Sequence, residues 1–140
     1  MSRWLDPMIR QFRATGGTVD RFGRNLVVMH AIGAKSGASR VTAARGIEHD
    51  GGWVVAATAG GQPADPAWAH NLRAHPDIDI EVPLPGIGTE TVRVHATELS
   101  GPQRAAAWQR FLDASPNFAV FATRTDRVFP IFHFIPRRNL

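Results

Sequence analysis

The turn sequence Gly-Ala-Lys-Ser-Gly-Ala-Ser-Arg at residues 33–40 constrains this chain more than any other stretch. It follows an apolar run, residues 26–32, that is typical of a buried strand, and strand-compatible residues resume at Val41. Gly33 and Gly37 allow the backbone to turn sharply and to expose successive N–H groups. We therefore expect two consecutive strands joined by a tight turn with exposed amides.

The side chains of this turn are those of an anion-binding site. One ammonium, one guanidinium and two hydroxyls come from Lys35, Ser36, Ser39 and Arg40. Such donors bind phosphate or carboxylate groups. Lys35 is also the only lysine among the 16 Lys and Arg residues. A solvated hairpin loop is the alternative that the turn alone leaves open, so the anion site needs support from other segments.

Composition limits the class of protein. With 140 residues, 44% of them hydrophobic, the chain is long enough for one domain with its own core. The absence of cysteine excludes disulfides, a thiol nucleophile and a thiolate metal site, and it suits a cytoplasmic protein. The net charge of +4 favours anionic ligands, but the basic residues are dispersed and argue against nucleic acid as a partner. The six histidines are scattered, so we expect no metal site.

We expect an amphipathic helix near the N-terminus. Its apolar stripe comprises Trp4, Leu5, Met8, Ile9 and Phe12. Glycines at positions 16 and 17 end it, and residues 1–24 form the helix and its connector, with residues 25–140 as a single domain. A helix of this kind packs on its own domain, covers a ligand site or lies on a membrane surface, and the sequence leaves all three open.

The middle of the chain predicts a hairpin, a small-residue loop and a helix. Asp50-Gly51-Gly52 is typical of a hairpin turn, and residues 53–57 return as its second strand. The next segment, residues 58–61, combines a threonine with glycines that allow a ligand close to the backbone. Asp65 and Pro66 then suggest an N-cap and a first helical residue, and Trp68 and Asn71 share one face of that helix.

The rest of the chain predicts two further strands, residues 78–82 and 91–97, and a helix that opens with a capping-box pattern at Ser100. A short helical segment carries Phe118 and Phe121, and residues 129–135 form a closing strand. Six or seven strands joined mostly by short turns, with three or four helices, favour an antiparallel sheet that closes into a small barrel.

The usual catalytic groups are missing from this sequence. It contains no Gly-x-Ser-x-Gly motif, no persuasive carboxylate pair and no tyrosine to act as a general acid. If the protein is an enzyme, a bound cofactor should supply the chemistry while the chain supplies position and electrostatics.

Three motifs in order identify a family. They are Gly-Ala-Lys-Ser-Gly-Ala-Ser-Arg, then Asp-Gly-Gly-Trp-Val-Val-Ala-Ala-Thr-Ala-Gly-Gly, then Asp-Pro-Ala-Trp-Ala-His-Asn-Leu-Arg. With the closing segment at residues 125–132, this order resembles the deazaflavin-dependent nitroreductase family of actinobacteria. The resemblance implies an α+β, mainly β protein, an antiparallel split β-barrel with flanking helices like the FMN-binding split barrels. It also implies an oxidoreductase that uses coenzyme F420, with residues 25–140 as the cofactor-binding domain.

The resemblance further implies a set of site residues. The cofactor's phosphate and anionic tail would be held by Lys35, Ser36, Gly37, Arg40 and Thr42. The deazaflavin and its ribityl chain would contact Ala57, Thr58, Ala59, Gly60, Gly61, Pro66, Trp68 and Asn71. Thr58 stands where the family commonly has serine. The Thr58 hydroxyl, the backbone N–H groups near Gly60 or Arg45 would stabilise the anion that forms during hydride transfer.

Phe118 and Phe121 stand where nitroreductases of this family have pocket tyrosines, and Arg45 stands where another tyrosine is expected. We therefore expect a small, flat, apolar acceptor: a quinone, a conjugated enone or a nitroaromatic, with nitroimidazoles disfavoured. The alternatives are an FMN-dependent oxidoreductase and a non-catalytic binder of lipid or other hydrophobic ligands on the same barrel. We expect a cytoplasmic monomer or homodimer, with membrane association through the N-terminal helix left open.

Overall fold

The computed structural model describes residues 5–137, which form six strands, four α-helices and a short 3₁₀ turn at Ala59–Gly61. The helices are α1 (Leu5–Thr15), α2 (Ala67–Ala74), α3 (Gly101–Ala114) and α4 (Asn117–Thr123). The strands are β1 (Leu26–Ile32), β2 (Ser39–His49), β3 (Gly52–Ala56), β4 (Asp77–Pro83), β5 (Thr89–Glu98) and β6 (Ile131–Pro136).

The six strands form one closed antiparallel barrel in the order β1-β2-β3-β6-β5-β4. Asp50 and Gly51 both have positive φ, at 45° and 77°, which allows the tight β2–β3 hairpin. The strand and helix numbers and the antiparallel pairing agree with the sequence-based expectation. The prediction of a mainly β, barrel-forming α+β protein is therefore confirmed.

Strand β2 changes partner along its length. From Ser39 to Arg45 it pairs with β1, and from Gly46 to His49 it pairs with β3. In the described part of the chain, no strand pairs with the first half of β2 on its β3 side. β3 ends at Ala56, and the chain continues into the loop of residues 57–62. The barrel therefore has an opening beside the first half of β2, bordered by that loop.

Side chains alternate between the inside and outside of the barrel, as strand geometry requires. On β1, Val27 and Met29 belong to the interior cluster, whereas Leu26 and Val28 pack outside under α1. Leu72 of α2 belongs to the interior cluster, so this helix closes one end of the barrel. Helices α3 and α4 cover another outer face through a cluster that comprises Ile47, Val54, Ala56, Ala107, Phe111, Phe118 and Ile131.

Helix α1 packs on its own barrel. Ile9 and Phe12 are buried against Leu26, Val28 and Ala43, and Phe12 has no exposed surface. Burying one phenylalanine side chain contributes about 1.5–3 kcal/mol. These two apolar residues are therefore unavailable to a membrane; the predicted Trp4 contact lies outside the described residues. No helix within residues 5–137 has the length and apolar character needed to cross a bilayer.

A charged group fastens α1 to the sheet. Glu81, nine-tenths buried on β4, accepts two hydrogen bonds from Arg13 at 3.0 and 2.6 Å. His30 of β1 lies 2.7 Å from the same carboxylate. The Arg13 hydrogen bonds are the main reason that the pKa of Glu81 is lowered from its ordinary value, and they outweigh the opposing effect of burial.

Three local predictions are corrected. Pro66, and not Asp65, occupies the cap position of α2, because the Asp65 carboxylate is held by Arg127 and Arg73 instead. Ser100 caps α3 without a side-chain hydrogen bond, so the capping-box pattern located the helix start but not its cap. Strand β2 already begins at Ser39, two residues before the expected Val41.

Candidate active site

The predicted anion turn is a closed loop with its lysine exposed. The Gly33 N–H donates to the carbonyl of Ala38 at 2.8 Å, and the Ala38 N–H donates to Ser36 Oγ at 3.2 Å. A Cβ atom at Gly33 would lie 2.5 Å from Ser36 Oγ, so any larger residue there would displace the Ser36 hydroxyl from its present position. Gly37 has a φ of 68°. Within residues 5–137, the N–H groups of Lys35 and Ser36 have no acceptor and remain available to an anion.

Asn71 connects the turn to helix α2. Its Oδ1 accepts a hydrogen bond from the Ala34 N–H at 3.0 Å, and the residue is only 8% exposed. Trp68, one turn earlier on the same helix, packs on Phe132 with ring centroids 6.1 Å apart. The structure thus brings together two of the predicted parts of the cofactor site, the anion turn and the face of α2 that carries Trp68 and Asn71.

Arg40 and Thr42 extend the anion turn along the opening of the barrel. They are two residues apart on β2 and so lie on the same face of the strand. Arg40 Nε lies 3.2 Å from the position of a Cβ at Gly33, so its guanidinium folds back over the turn. Lys35 and Arg40 therefore place two positive charges at one end of the open groove.

The loop of residues 57–62 forms the opposite border of the groove. Ala59, Gly60 and Gly61 have φ values of 47°, 65° and 82°, so three successive residues are in the left-handed region. A Cβ at Gly61 would lie 2.7 Å from the Phe121 carbonyl oxygen, which only glycine avoids. Thr58 is 8% exposed. The loop is thus packed tightly against α4.

Arg127 also contacts this loop, and the sequence did not single it out. Its guanidinium donates to the carbonyls of Ala57 and Thr58 at 3.0 and 2.8 Å. The only sequence signal for Arg127 was its position in residues 125–132, the closing segment that contributes to the family resemblance. The many arginines of the chain gave no reason to prefer this one.

Arg45 lies on the outer side of β2, next to the aromatic residues of α4. Its guanidinium carbon is 6.0 Å from the Phe118 ring centroid and 4.9 Å from that of Phe22. Its Nη2 donates to the Arg21 carbonyl at 3.1 Å. Burial lowers the pKa of Arg45 from its ordinary value, yet a guanidinium stays charged. Phe22, which the sequence did not single out, thus packs against the Arg45 guanidinium, which also lies beside Phe118 of the predicted acceptor pocket.

The two predicted pocket phenylalanines differ in exposure. Phe118 is 5% exposed and packs against Phe111 and Trp108, with centroids 5.1 and 6.1 Å away. Phe121 is half-buried and lies 5.8 Å from Phe118 in an edge-on arrangement. Neither ring belongs with Phe132 and Phe134, which are part of the cluster inside the barrel. Arg45, Phe118, Phe121 and Gly61 are contiguous.

A separate cavity of about 640 Å³ lies near the start of α3 and contains none of the predicted site residues. Two of its arginines are neutralised: Arg73 pairs with Glu98 at 2.8 Å, and Arg127 pairs with Asp65 at 2.5 Å. We place the candidate active site in the open groove and not in this cavity, since Lys35, Arg40 and the free amides lie in the groove.

The arrangement defines a class of protein. The antiparallel barrel has an open groove beside the first half of β2; the anion turn contacts α2, and the loop of residues 57–62, hereafter the glycine loop, contacts α4 beside Phe118 and Phe121. Cationic donors, free amides and aromatic rings are the groups that an elongated anionic cofactor with a planar reactive group would need, so this arrangement is a candidate site for one. Within residues 5–137 no cluster of His, Asp or Glu side chains could hold a metal ion.

Comparison with known proteins gives the family. The family model for F420H(2)-dependent quinone reductase matches residues 2–136, and the chain belongs to that family. An F420H(2)-dependent quinone reductase of Mycobacterium tuberculosis is 28% identical over 144 aligned positions, which cover 94% of this chain and 95% of the relative.

Two solved structures show the same fold. The F420-H2 dependent reductase FDR-A has a TM-score of 0.68 and 31% identity, covering 79% of this chain and 94% of its own. A domain-swapped dimer has a TM-score of 0.71 and 30% identity, with coverages of 92% and 94%. The predictions of a deazaflavin-dependent oxidoreductase on a split barrel, and of coenzyme F420 as its cofactor, are confirmed.

Proposed function

We propose that this chain binds reduced F420 along the groove and reduces a quinone held between Arg45, Phe118 and Phe121. The observation that carries the proposal is a chain of contacts: Arg45 lies beside Phe118, Phe118 beside Phe121, and Phe121 beside Gly61 of the glycine loop, while the anion turn leads directly into β2, the strand that carries Arg45. Family membership supports the cofactor and the quinone class of acceptor. The assignment of individual residues is our inference from the geometry.

The residues fit an anionic cofactor. Lys35, Arg40 and the free N–H groups of the turn would hold its phosphate and carboxylates through charge-assisted hydrogen bonds. Asn71 fixes the turn, because its Oδ1 occupies the Ala34 N–H. When bound, reduced F420 supplies a hydride, which is two electrons and one proton delivered together. The chain has to align the acceptor with that donor and exclude competing water.

Arg45 is the group we assign to charge stabilisation. A quinone that accepts a hydride acquires negative charge on an oxygen, and a proton from solvent then completes the quinol. A guanidinium has five N–H donors, and one of those of Arg45 is engaged by the Arg21 carbonyl. The remaining donors can meet the developing oxyanion, at a site where partial burial strengthens the interaction.

The aromatic residues favour a flat acceptor. Phe121 offers a half-buried ring, and Phe118 supports it from the core. Neither side chain can donate a hydrogen bond, and the chain has no tyrosine to do so. Quinones should therefore react faster than nitroimidazoles, with conjugated enones and nitroaromatics as secondary acceptors.

Two finer predictions concern partners. A homodimer is supported by a solved neighbour that is a domain-swapped dimer, and light scattering of the purified protein tests it. Membrane contact through α1 has less support, since Ile9 and Phe12 are buried against the barrel. Flotation with anionic vesicles tests that contact.

The experiment for the proposed function is oxidation of reduced F420 by menadione, followed through deazaflavin fluorescence. Arg45→Gln should lower kcat by roughly 10²-fold, the cost of losing one oxyanion donor. Arg110→Gln is the matched control, because Arg110 donates to the Glu48 carbonyl near the other end of β2. Equal loss in both variants, or no turnover by the parent protein, would contradict the assignment.

A further inference from the structure

Arg127 is joined to the glycine loop by more than the two carbonyl contacts described above. Besides the carbonyls of Ala57 and Thr58, its Nε donates to the Gln62 carbonyl at 3.0 Å, and Nη1 reaches Asp65 Oδ1 at 2.5 Å. Its side chain is only 12% exposed. A single guanidinium thus spans both ends of the loop of residues 57–62.

The carboxylate that holds Arg127 is itself fixed. Asp65 Oδ2 lies 3.3 Å from Arg73, and Arg73 forms two hydrogen bonds with Glu98 at 2.8 and 3.0 Å. Glu98 lies at the end of β5 and Arg73 on α2, so this chain of ion pairs anchors Arg127 to the barrel frame. The planar fork of an arginine suits such a multidentate role, and a lysine ammonium could not reproduce it.

We propose that Arg127 is a positioning residue: it binds carbonyl oxygens of the glycine loop, so that the loop presents N–H groups to the cofactor. Three loop carbonyls are directed at its guanidinium, and a fourth, that of Gly60, accepts from Arg124 at 3.0 Å. Four of the six carbonyl oxygens of the loop therefore accept hydrogen bonds from guanidinium groups. Within residues 5–137, the N–H groups of Ala59 and Gly60 have no protein acceptor.

Both the bound carbonyl oxygens and the free N–H groups favour binding of an anionic ligand at this loop. Carbonyl oxygens that are bound to Arg127 no longer repel negative charge, and consecutive N–H groups in left-handed backbone form an anion-binding concavity. The strained φ values of the loop also need a surrounding structure that enforces them. This inference rests on the proposed function, because it takes the loop to border the cofactor.

The test uses two variants and two independent readouts. Arg127→Lys keeps the charge but not the fork, and Arg127→Met removes both. Arg104→Met is the matched control, since Arg104 is partly buried and donates to the Phe129 carbonyl at 2.7 Å and to no carbonyl of the loop. The first readout is amide hydrogen exchange of the cofactor-free protein over residues 57–65. The second is the F420 dissociation constant, with the menadione KM measured alongside.

We expect both Arg127 variants to exchange roughly tenfold faster over the loop and to bind F420 roughly tenfold more weakly, because charge-assisted hydrogen bonds are lost. The menadione KM should stay within about twofold, as should every readout of Arg104→Met.

Full retention of F420 affinity by Arg127→Lys would overturn the inference, because charge alone would then suffice. Faster exchange without weaker binding would also overturn it, since the loop would not touch the cofactor. If the parent protein fails to bind F420, the proposed function fails, whereas the exchange readout still decides whether Arg127 orders the loop.

Discussion

Glu81 allows the clearest quantitative test of how α1 is attached to the barrel. Glu81→Gln keeps the shape of the side chain but removes the charge that accepts from Arg13 and lies beside His30. Hydrogen bonds to charged groups contribute about 1.5–3 kcal/mol. The Arg13 side chain is 50% exposed, so solvent screening reduces this contribution. We expect a loss of about 1–2 kcal/mol in the free energy of unfolding.

The pH dependence of that loss has a definite sign. The pKa of Glu81 is lowered in the folded protein from its ordinary value of 4.5. Its stabilising effect is therefore fully present above pH 4.5 and is lost as the pH falls through the lower, folded pKa. The parent protein and Glu81→Gln should differ at pH 7 and converge in strong acid, where the carboxyl is protonated in both states.

Thermal unfolding measures the effect. For 140 residues, the unfolding entropy makes 1 kcal/mol equal to about 3–4 °C, so Glu81→Gln should melt about 3–8 °C lower at pH 7. Asp79→Asn is the matched control on the same strand, because Asp79 is 48% exposed and lies 3.4 Å from Arg93. It should shift the melting temperature by less than about 2 °C. Equal shifts in both variants, or a difference that persists unchanged in acid, would refute the reasoning.

Three further predictions concern the groove. Lys35→Ala should weaken F420 binding by about 1–3 kcal/mol at nearly unchanged melting temperature, and a collapse of the fold with intact affinity would remove its anion role. Gly33→Ala should impair F420 binding because its Cβ would lie 2.5 Å from Ser36 Oγ; unchanged affinity would mean that the turn adapts. Phe121→Tyr should raise nitroimidazole reduction relative to menadione, whereas Phe118→Tyr should chiefly cost stability, about 1–3 kcal/mol, since Phe118 is buried. Equal stability of the two tyrosine variants, or no change in acceptor preference for Phe121→Tyr, would contradict this assignment.

The barrel was predictable because its signals are local. Alternation in β4, the Asp50-Gly51 turn and the apolar run of β1 each depend on a few neighbouring residues. The anion turn was visible for the same reason, since its glycines, lysine and serine are adjacent in sequence.

The contacts that organise the site were not predictable, because they join distant segments. Arg127 reaches Ala57 across 70 residues, and Asp65 pairs with it where an N-cap was expected. Local propensity favoured Asp65 as the N-cap, but its carboxylate pairs with the buried Arg127 instead. Likewise, Glu81 breaks the exposure pattern of its strand because Arg13 of α1, 68 residues earlier, covers it. Periodicity contains no information on such partners.

The measurement that tests the central claim most directly is a side-by-side titration of the purified protein with F420 and with FMN, followed by quenching of tryptophan fluorescence. Trp68 lies on the helix that borders the groove, so a ligand there should quench it. If the Lys35 turn holds the anionic tail that FMN lacks, F420 should bind with micromolar or tighter affinity and FMN clearly more weakly. Equal affinity for the two cofactors would contradict the account.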